Sequence, residues 1–345
     1  LRELPDMSVM PYPAVDGGKD FKDNVITWAF GRYEKRIRDE MFVDACATPG
    51  GSGAIASTFS VYAKPEDYIF VSNIRWQYDR FADRAHLKIY EHNLFKDGGF
   101  DLDSFQSSLS ELCKIQKEVI VIVNDPCHNP TGYTLSQFEF KSIIDTLNLF
   151  ENNDIVFLYD IAYLEYTSEK DNRIKMLELL RLKEHVMTVL AFSGSKTFGV
   201  YGLRLGAAIG LSKSKKHIEA FRPRFVNEAR GSWSATPTIS IELLNHFSKK
   251  ENYELFSKDL EYIKDIVAKR SNLFITQANE VGLKTYPFKS GFYVIVLTPK
   301  PMEVFEKLAL NDIYVVPMDN GIRIALCSIS LKEIDGLAKK IKTYL

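Results

Sequence analysis

Long apolar runs, paired cysteines and an excess of either charge are all missing from this chain. No run approaches the roughly 20 apolar residues that a membrane helix needs, so no membrane partner is expected. Cysteine is scarce: Cys46, Cys113, Cys127 and Cys327 are the four in 345 residues, and none forms a CxxC pair. That is the usage of a reduced, cytoplasmic protein without a metal site. Lys and Arg total 44 against 45 Asp and Glu. Such a balance gives no reason to expect nucleic acid or a membrane surface as partner. Internal repeats and low-complexity linkers are absent too. The first residues, Leu-Arg-Glu-Leu-Pro-Asp, have neither a methionine nor a signal-peptide layout, and an upstream segment would account for the missing methionine.

What is present points to a folded protein with a well-buried core. Hydrophobic residues make up 46% of the chain, enough for one large domain and a smaller one. Three short apolar runs, Val119–Val123, Ile155–Tyr159 and Val186–Phe192, alternate with helical candidates at Gln137–Phe150 and Arg173–Lys183. Near-continuous apolar strands separated by helices predict an α/β fold, a mostly parallel sheet covered by helices on both faces. In such sheets the ligand crevice lies beyond the strand C-termini. Each run delivers conspicuous polar residues at that end. Further on, Asn252–Gly282 reads as one long helix, 291–297 and Ile313–Val316 as strands, and Lys332–Tyr344 as a closing helix. The expected division is an N-terminal segment over 1–14, a cofactor-binding domain over 15–254 and a smaller α+β domain over 255–345.

The chemistry centres on residues 193–206, Ser-Gly-Ser-Lys-Thr-Phe-Gly-Val-Tyr-Gly-Leu-Arg-Leu-Gly. Lys196 follows the third apolar run in a turn of small residues. Desolvation there favours its neutral amine, which can attack a carbonyl and form an imine. Nearby serines and Arg204 are suited to a phosphate. Imine plus phosphate suggests pyridoxal phosphate. After the first run, Asn129 in Asn-Pro-Thr-Gly can offer its amide to a ligand oxygen. Asp160, at the end of the second run, can hold the proton of a pyridine nitrogen, and Tyr163 can donate to the ring hydroxyl. Gly50-Gly51-Ser52-Gly53 opens a helix whose N–H groups can face an anion, without the GK[ST] of a Walker loop or a GxGxxG. Trp76 can stack on an aromatic ring. Arg323, inside the apolar strand Gly-Ile-Arg-Ile-Ala, is suited to a substrate carboxylate.

Each feature also has an ordinary reading. Lys196 can be a surface residue, Asp160 a helix cap, Trp76 core packing, Arg230 a surface charge. Their joint presence, in an order consistent with one crevice, is what argues for chemistry.

Taken together, GGSGA at 50–54, Trp76, HNPTG at 128–132, YDIAY at 159–163, SGSK at 193–196, GLRLG at 202–206, RGSWS at 230–234 and GIRIA at 321–325 resemble the fold-type I pyridoxal-phosphate aminotransferases. The likeness is greatest to the aspartate/aromatic branch of class I. This resemblance implies that Lys196 forms the internal aldimine with pyridoxal 5'-phosphate and shuttles the substrate proton. It implies that Asp160 pairs with the pyridine nitrogen, that Tyr163 and Asn129 hold the ring oxygen, and that Trp76 stacks on the ring. Gly51, Ser52, Ser193, Ser195 and Arg204 are then the phosphate ligands, and Arg323 takes the α-carboxylate. Tyr12 resembles the tyrosine that reaches a neighbour's phosphate, and Arg230 the arginine that reads a distal carboxylate across the interface. A homodimer with shared sites is therefore implied, moving an amino group from aspartate or an aromatic amino acid to a 2-oxo acid by a ping-pong route. A β-lyase, or a non-catalytic sensor domain built on the same frame, would share many of these residues.

Overall fold

The computed structural model describes residues 8–345; residues 1–7 of the expected N-terminal segment lie outside the described residues. Seven strands build the central sheet. They are β1 (Phe42–Pro49), β2 (Tyr68–Ser72), β3 (Lys88–His92), β4 (Glu118–Asn124), β5 (Asp154–Asp160), β6 (Val186–Ser193) and β7 (Leu205–Ser212). Their order across the sheet is β1-β7-β6-β5-β4-β2-β3. All neighbours run parallel except at β7, which is antiparallel to both β1 and β6.

The apolar runs of β4, β5 and β6 are buried on both faces. Along β4, Val119, Val121 and Val123 join one hydrophobic cluster, while Ile120 and Ile122 join the other. Strand alternation thus sends successive side chains into two separate helix-covered layers, which is why the run is continuously apolar. The register pairs Asn124 with Asp160 and Asp160 with Ala191, so the three strands end almost level.

A smaller α+β domain follows. Its antiparallel sheet has β8 (Tyr293–Leu297), β9 (Val316–Met318) and β10 (Gly321–Ala325) in the order β8-β10-β9. Phe274, Val294, Ile322 and Ile341 are among the residues of its own core. The helix Lys250–Glu280 leads into it, close to the 252–282 read from the sequence.

Three details differ from the sequence expectation. The segment expected as a helix over 173–183 winds as a 3-10 helix over Ile174–Arg181, with Met176 and Leu179 buried. The closing helix is broken into Leu331–Ile334 and Leu337–Lys342. Gly336 separates them at φ 78°, a left-handed conformation that glycine adopts without steric cost, and its N–H donates to Gln277 Oε1 at 3.0 Å. Residues 313–315 are not in a strand, which starts only at Val316.

Candidate active site

The crevice lies where the parallel strands end, a volume of about 210 Å³. Asn129, Tyr163 and Trp76 line it from the loops after β4, β5 and β2, and Asp160 from the last position of β5. Gly51 and Ser52 line it from the start of the helix Gly50–Tyr62, and Ser193, Ser195, Lys196 and Arg204 from the turns between β6 and β7. Ten residues singled out in the sequence therefore meet in one place.

Lys196 sits in the short helix Gly194–Thr197 immediately after β6. Its Nζ lies 5.4 Å from the Tyr163 ring centre and 5.9 Å from that of Tyr201. Among the described residues, none forms a salt bridge with it. Burial pushes its pKa below the ordinary lysine value, and the nearby Arg204 charge adds to the shift, whereas Asp160 opposes it. A lysine in that position is more readily a neutral amine than one in water.

Asp160, the last residue of β5, is buried. Its Oδ2 accepts a 2.7 Å hydrogen bond from the Tyr78 hydroxyl and its Oδ1 a 3.1 Å bond from the Ala162 N–H. The bond to Ala162 spans two residues, a local turn rather than a helix cap. Burial raises the pKa of its carboxyl, while Tyr78, the Ala162 N–H and the Lys196 charge pull it down. No described cation forms an ion pair with it. A buried carboxylate without an ion-pair partner is costly, and a cationic ring nitrogen beside it would offset that cost.

Asn129 is fixed at both ends. Its backbone N–H donates to Asn124 Oδ1 at 2.8 Å, and its side-chain amide donates to the Tyr163 hydroxyl at 3.2 Å. Asn124 in turn donates to the Asp160 carbonyl at 3.0 Å, so the ends of β4 and β5 are tied together. Arg323, on β10, places its guanidinium 4.5 Å from the Tyr293 ring centre and donates to Asn129 Oδ1 at 3.2 Å. Its Nε is buried with no hydrogen-bond partner. An unused donor on a half-buried guanidinium is suited to an incoming carboxylate.

The phosphate-sized end is shaped by close backbone approach. A Cβ on Gly206 would lie 2.2 Å from the Gly50 carbonyl carbon, and one on Gly50 would lie 2.6 Å from Arg204 Nη2. Both glycines are thus required for the turn before Gly50–Tyr62 to sit against β7 and Arg204. Arg204 itself has φ 57°, and its carbonyl accepts the Gly50 N–H at 2.9 Å. No side chain caps this 13-residue helix. Its first N–H groups and Arg204 supply the positive potential an anion needs.

These residues fit pyridoxal phosphate: a desolvated lysine, a buried carboxylate without an ion-pair partner among the described residues, and an uncapped helix start beside an arginine. A sequence model described as Aminotransferase class I and II matches residues 3–341. The chain belongs to this family. Among other aminotransferases, the aromatic-amino-acid aminotransferase of Pseudomonas aeruginosa is 29% identical over 210 residues, 59% of this chain and 51% of that relative. The chain therefore matches about half the length of that curated relative. An aminotransferase structure from Anaerococcus prevotii superposes with a TM-score of 0.95 at 29% identity, covering 99% of this chain and 84% of that one. The Burkholderia pseudomallei aromatic-amino-acid aminotransferase, solved with pyridoxal phosphate covalently bound, shares the fold with a TM-score of 0.79 at 20% identity, covering 100% of this chain and 85% of that one.

Three expected aminotransferase site residues do not line the crevice within one chain; Arg323 is tied to it through Asn129, while Tyr12 and Arg230 stand apart. Tyr12 is 91% exposed, and Arg230 stands exposed with a 3.2 Å bond to Ser234. Conversely, Tyr78, Asn124 and Tyr201 belong to the site or its support but were not singled out from the sequence. Asn124 had a readable signal, a polar residue ending an apolar run. Tyr78 had only its place two residues after Trp76.

Proposed function

We propose that this chain is a pyridoxal-phosphate-dependent transaminase. It transfers the amino group of an aspartate-like or aromatic L-amino acid to a 2-oxo acid such as 2-oxoglutarate. The observation that carries the reading is Lys196, desolvated and without an ion-pair partner among the described residues, in a crevice shared with Asp160, Asn129, Tyr163 and Arg204.

Bound pyridoxal phosphate supplies a carbonyl for the amine and an electron-withdrawing ring that stabilises negative charge at the substrate Cα. The protein residues do the rest. Arg323 holds the α-carboxylate with its free donors and so orients the Cα–H toward Lys196. The neutral Lys196 amine is placed to take that proton as general base and, once protonated, to give it back as general acid. Asp160 would keep a proton on the ring nitrogen, Asn129 and Tyr163 would hold the ring oxygen, and Trp76 would cover the ring. Gly51, Ser52, Ser193, Ser195 and Arg204 would hold the phosphate.

Tyr12 and Arg230 act on the neighbouring site of a homodimer, which accounts for their exposure in a single chain. Arg230 reads an acidic donor. The four unpaired cysteines support a cytoplasmic location. Among the described residues, no helix is long and apolar enough to cross a membrane.

Initial rates test the reaction directly. With a panel of amino donors and 2-oxoglutarate, double-reciprocal lines at several acceptor concentrations should be parallel. Intersecting lines would reject the two-stage transfer.

A further inference from the structure

The Asp160 carboxylate meets the ring nitrogen in the reading above, and its state decides whether the ring keeps its proton. What holds Asp160 is therefore a functional question. Behind it stands Tyr78, the first residue of the helix Tyr78–Arg84. Its side chain is 1% exposed and does not line the crevice. It lies instead in the wall between the crevice and a small inner cavity shared with His92 and His128. Its hydroxyl donates to Asp160 Oδ2 at 2.7 Å. The backbone N–H of Tyr78 donates to the Trp76 carbonyl at 2.6 Å, and the two rings meet edge to face, 5.5 Å apart at 82°.

Neither buried imidazole does this work. His92 Nδ1 is 2.9 Å from the Asn93 carbonyl, and His128 Nδ1 is 2.9 Å from Thr131 Oγ1. The groups that face Asp160 are thus a phenol, a backbone N–H and the Lys196 charge. A neutral donor stabilises the carboxylate without adding a second positive charge to compete with the ring nitrogen.

We propose that Tyr78 is a positioning residue for cofactor function: its hydroxyl fixes the ionised Asp160 carboxylate and, through Trp76, couples the group at the ring nitrogen to the group on the ring face. Removal of the hydroxyl leaves Oδ2 buried with one fewer donor. The carboxylate then draws the proton from the ring nitrogen, and the ring becomes a poorer electron acceptor.

This inference rests on the cofactor reading of the site. The test uses full-length apoprotein, wild type and Tyr78→Phe, titrated with pyridoxal phosphate and followed by the visible absorbance of the bound cofactor. Tyr78→Phe keeps the ring volume and should leave the apoprotein melting temperature close to wild type. Cofactor affinity should fall about tenfold, as expected for loss of a charge-assisted hydrogen bond. The pH midpoint of the visible band should move up, because a less electron-poor ring makes its lysine adduct more basic. In turnover, kcat should fall by about tenfold with little change in the amino acid KM, since Arg323 is untouched. A Tyr78→Phe protein with wild-type affinity, pH midpoint and kcat overturns the proposal. So does one in which only the melting temperature falls. Wild-type apoprotein that takes up no pyridoxal phosphate overturns instead the cofactor reading beneath it.

Discussion

Asp160 and Arg230 carry opposite charges, and the protein treats them in opposite ways. Asp160 is buried at the end of β5 and held by two donors, with Asn124 fixing its own carbonyl. Arg230 and Tyr12 stand in solvent, and Arg230 donates to the Ser234 hydroxyl. The first arrangement is preorganised within one chain. The second has little in its own chain to organise it, as suits side chains that act on a neighbour. The difference separates what a single chain is proposed to do, hold most of the cofactor, from what a second copy is proposed to add, a phosphate contact from Tyr12 and substrate choice through Arg230.

The largest effect should come from the crevice itself. Lys196→Ala removes the only group assigned to the proton transfer, and turnover should fall by roughly 10⁴-fold or more. Steady-state rates with an aspartate or aromatic donor measure this. A loss of less than tenfold would move the chemistry to another residue.

Arg323→Met should act on binding more than on chemistry. A buried, hydrogen-bonded charge pair lost on one side costs about 2–5 kcal/mol, so kcat/KM should fall roughly 30- to 5,000-fold, mostly through KM. An unchanged KM would show that the free Nε of Arg323 does not meet the substrate carboxylate.

A third experiment tests how rigidly the crevice is built. Lys175 and Asp125 form an ion pair at 2.6 Å with only 2% and 1% of their side chains exposed. Asp125 also accepts the Tyr159 hydroxyl at 3.0 Å and the Leu135 N–H at 2.7 Å, and so closes the loop that carries Asn129. Lys175→Met leaves that carboxylate buried and unpaired, and should cost about 3–5 kcal/mol in urea denaturation. Pairing it with Asp125→Leu should recover much of the loss.

Arg230→Ala should be gentler and selective, lowering activity with acidic donors about tenfold while sparing aromatic ones. Mixing it with Lys196→Ala sharpens the comparison. Each hybrid dimer has one intact site, with Lys196 from one chain and Arg230 from the other; as about half of randomly mixed dimers are hybrids, the mixture should regain about a quarter of wild-type activity on acidic donors. No recovery would place Arg230 in its own chain's site.

The smallest effect is on apoprotein stability. Burial lowers the folded-state pKa of Lys196, so the folded protein binds fewer protons than the unfolded chain between that value and the ordinary lysine pKa of about 10.4. Stability therefore rises with pH through that window. Lys196→Met should stabilise the apoprotein at neutral pH, by an amount that shrinks as pH approaches 10. A constant difference would mean that Lys196 is not desolvated.

Much of the crevice could be read from the sequence for a physical reason. β4, β5 and β6 are buried on both faces, so their apolar runs are unbroken and their ends are marked by the first polar residues, Asn124, Asp160 and Ser193. The supports were harder to see. Tyr78 lies 82 positions from Asp160, and Lys175 lies 50 from Asp125. Neither spacing has a helical or strand period, and each contact exists only once the layers are stacked. The 3-10 winding at Ile174–Arg181 escaped for a related reason, since its apolar pattern also suits an α-helix.

The most direct test of the central claim is one turnover without acceptor. The cofactor-loaded protein is mixed with an amino donor alone, and 2-oxo acid, ammonia and cofactor absorbance are followed together. A transaminase built on Lys196 should release one equivalent of 2-oxo acid per chain, lose the visible band and stop, retaining the nitrogen until 2-oxoglutarate is added. Continued release of 2-oxo acid and ammonia without an acceptor would contradict the account.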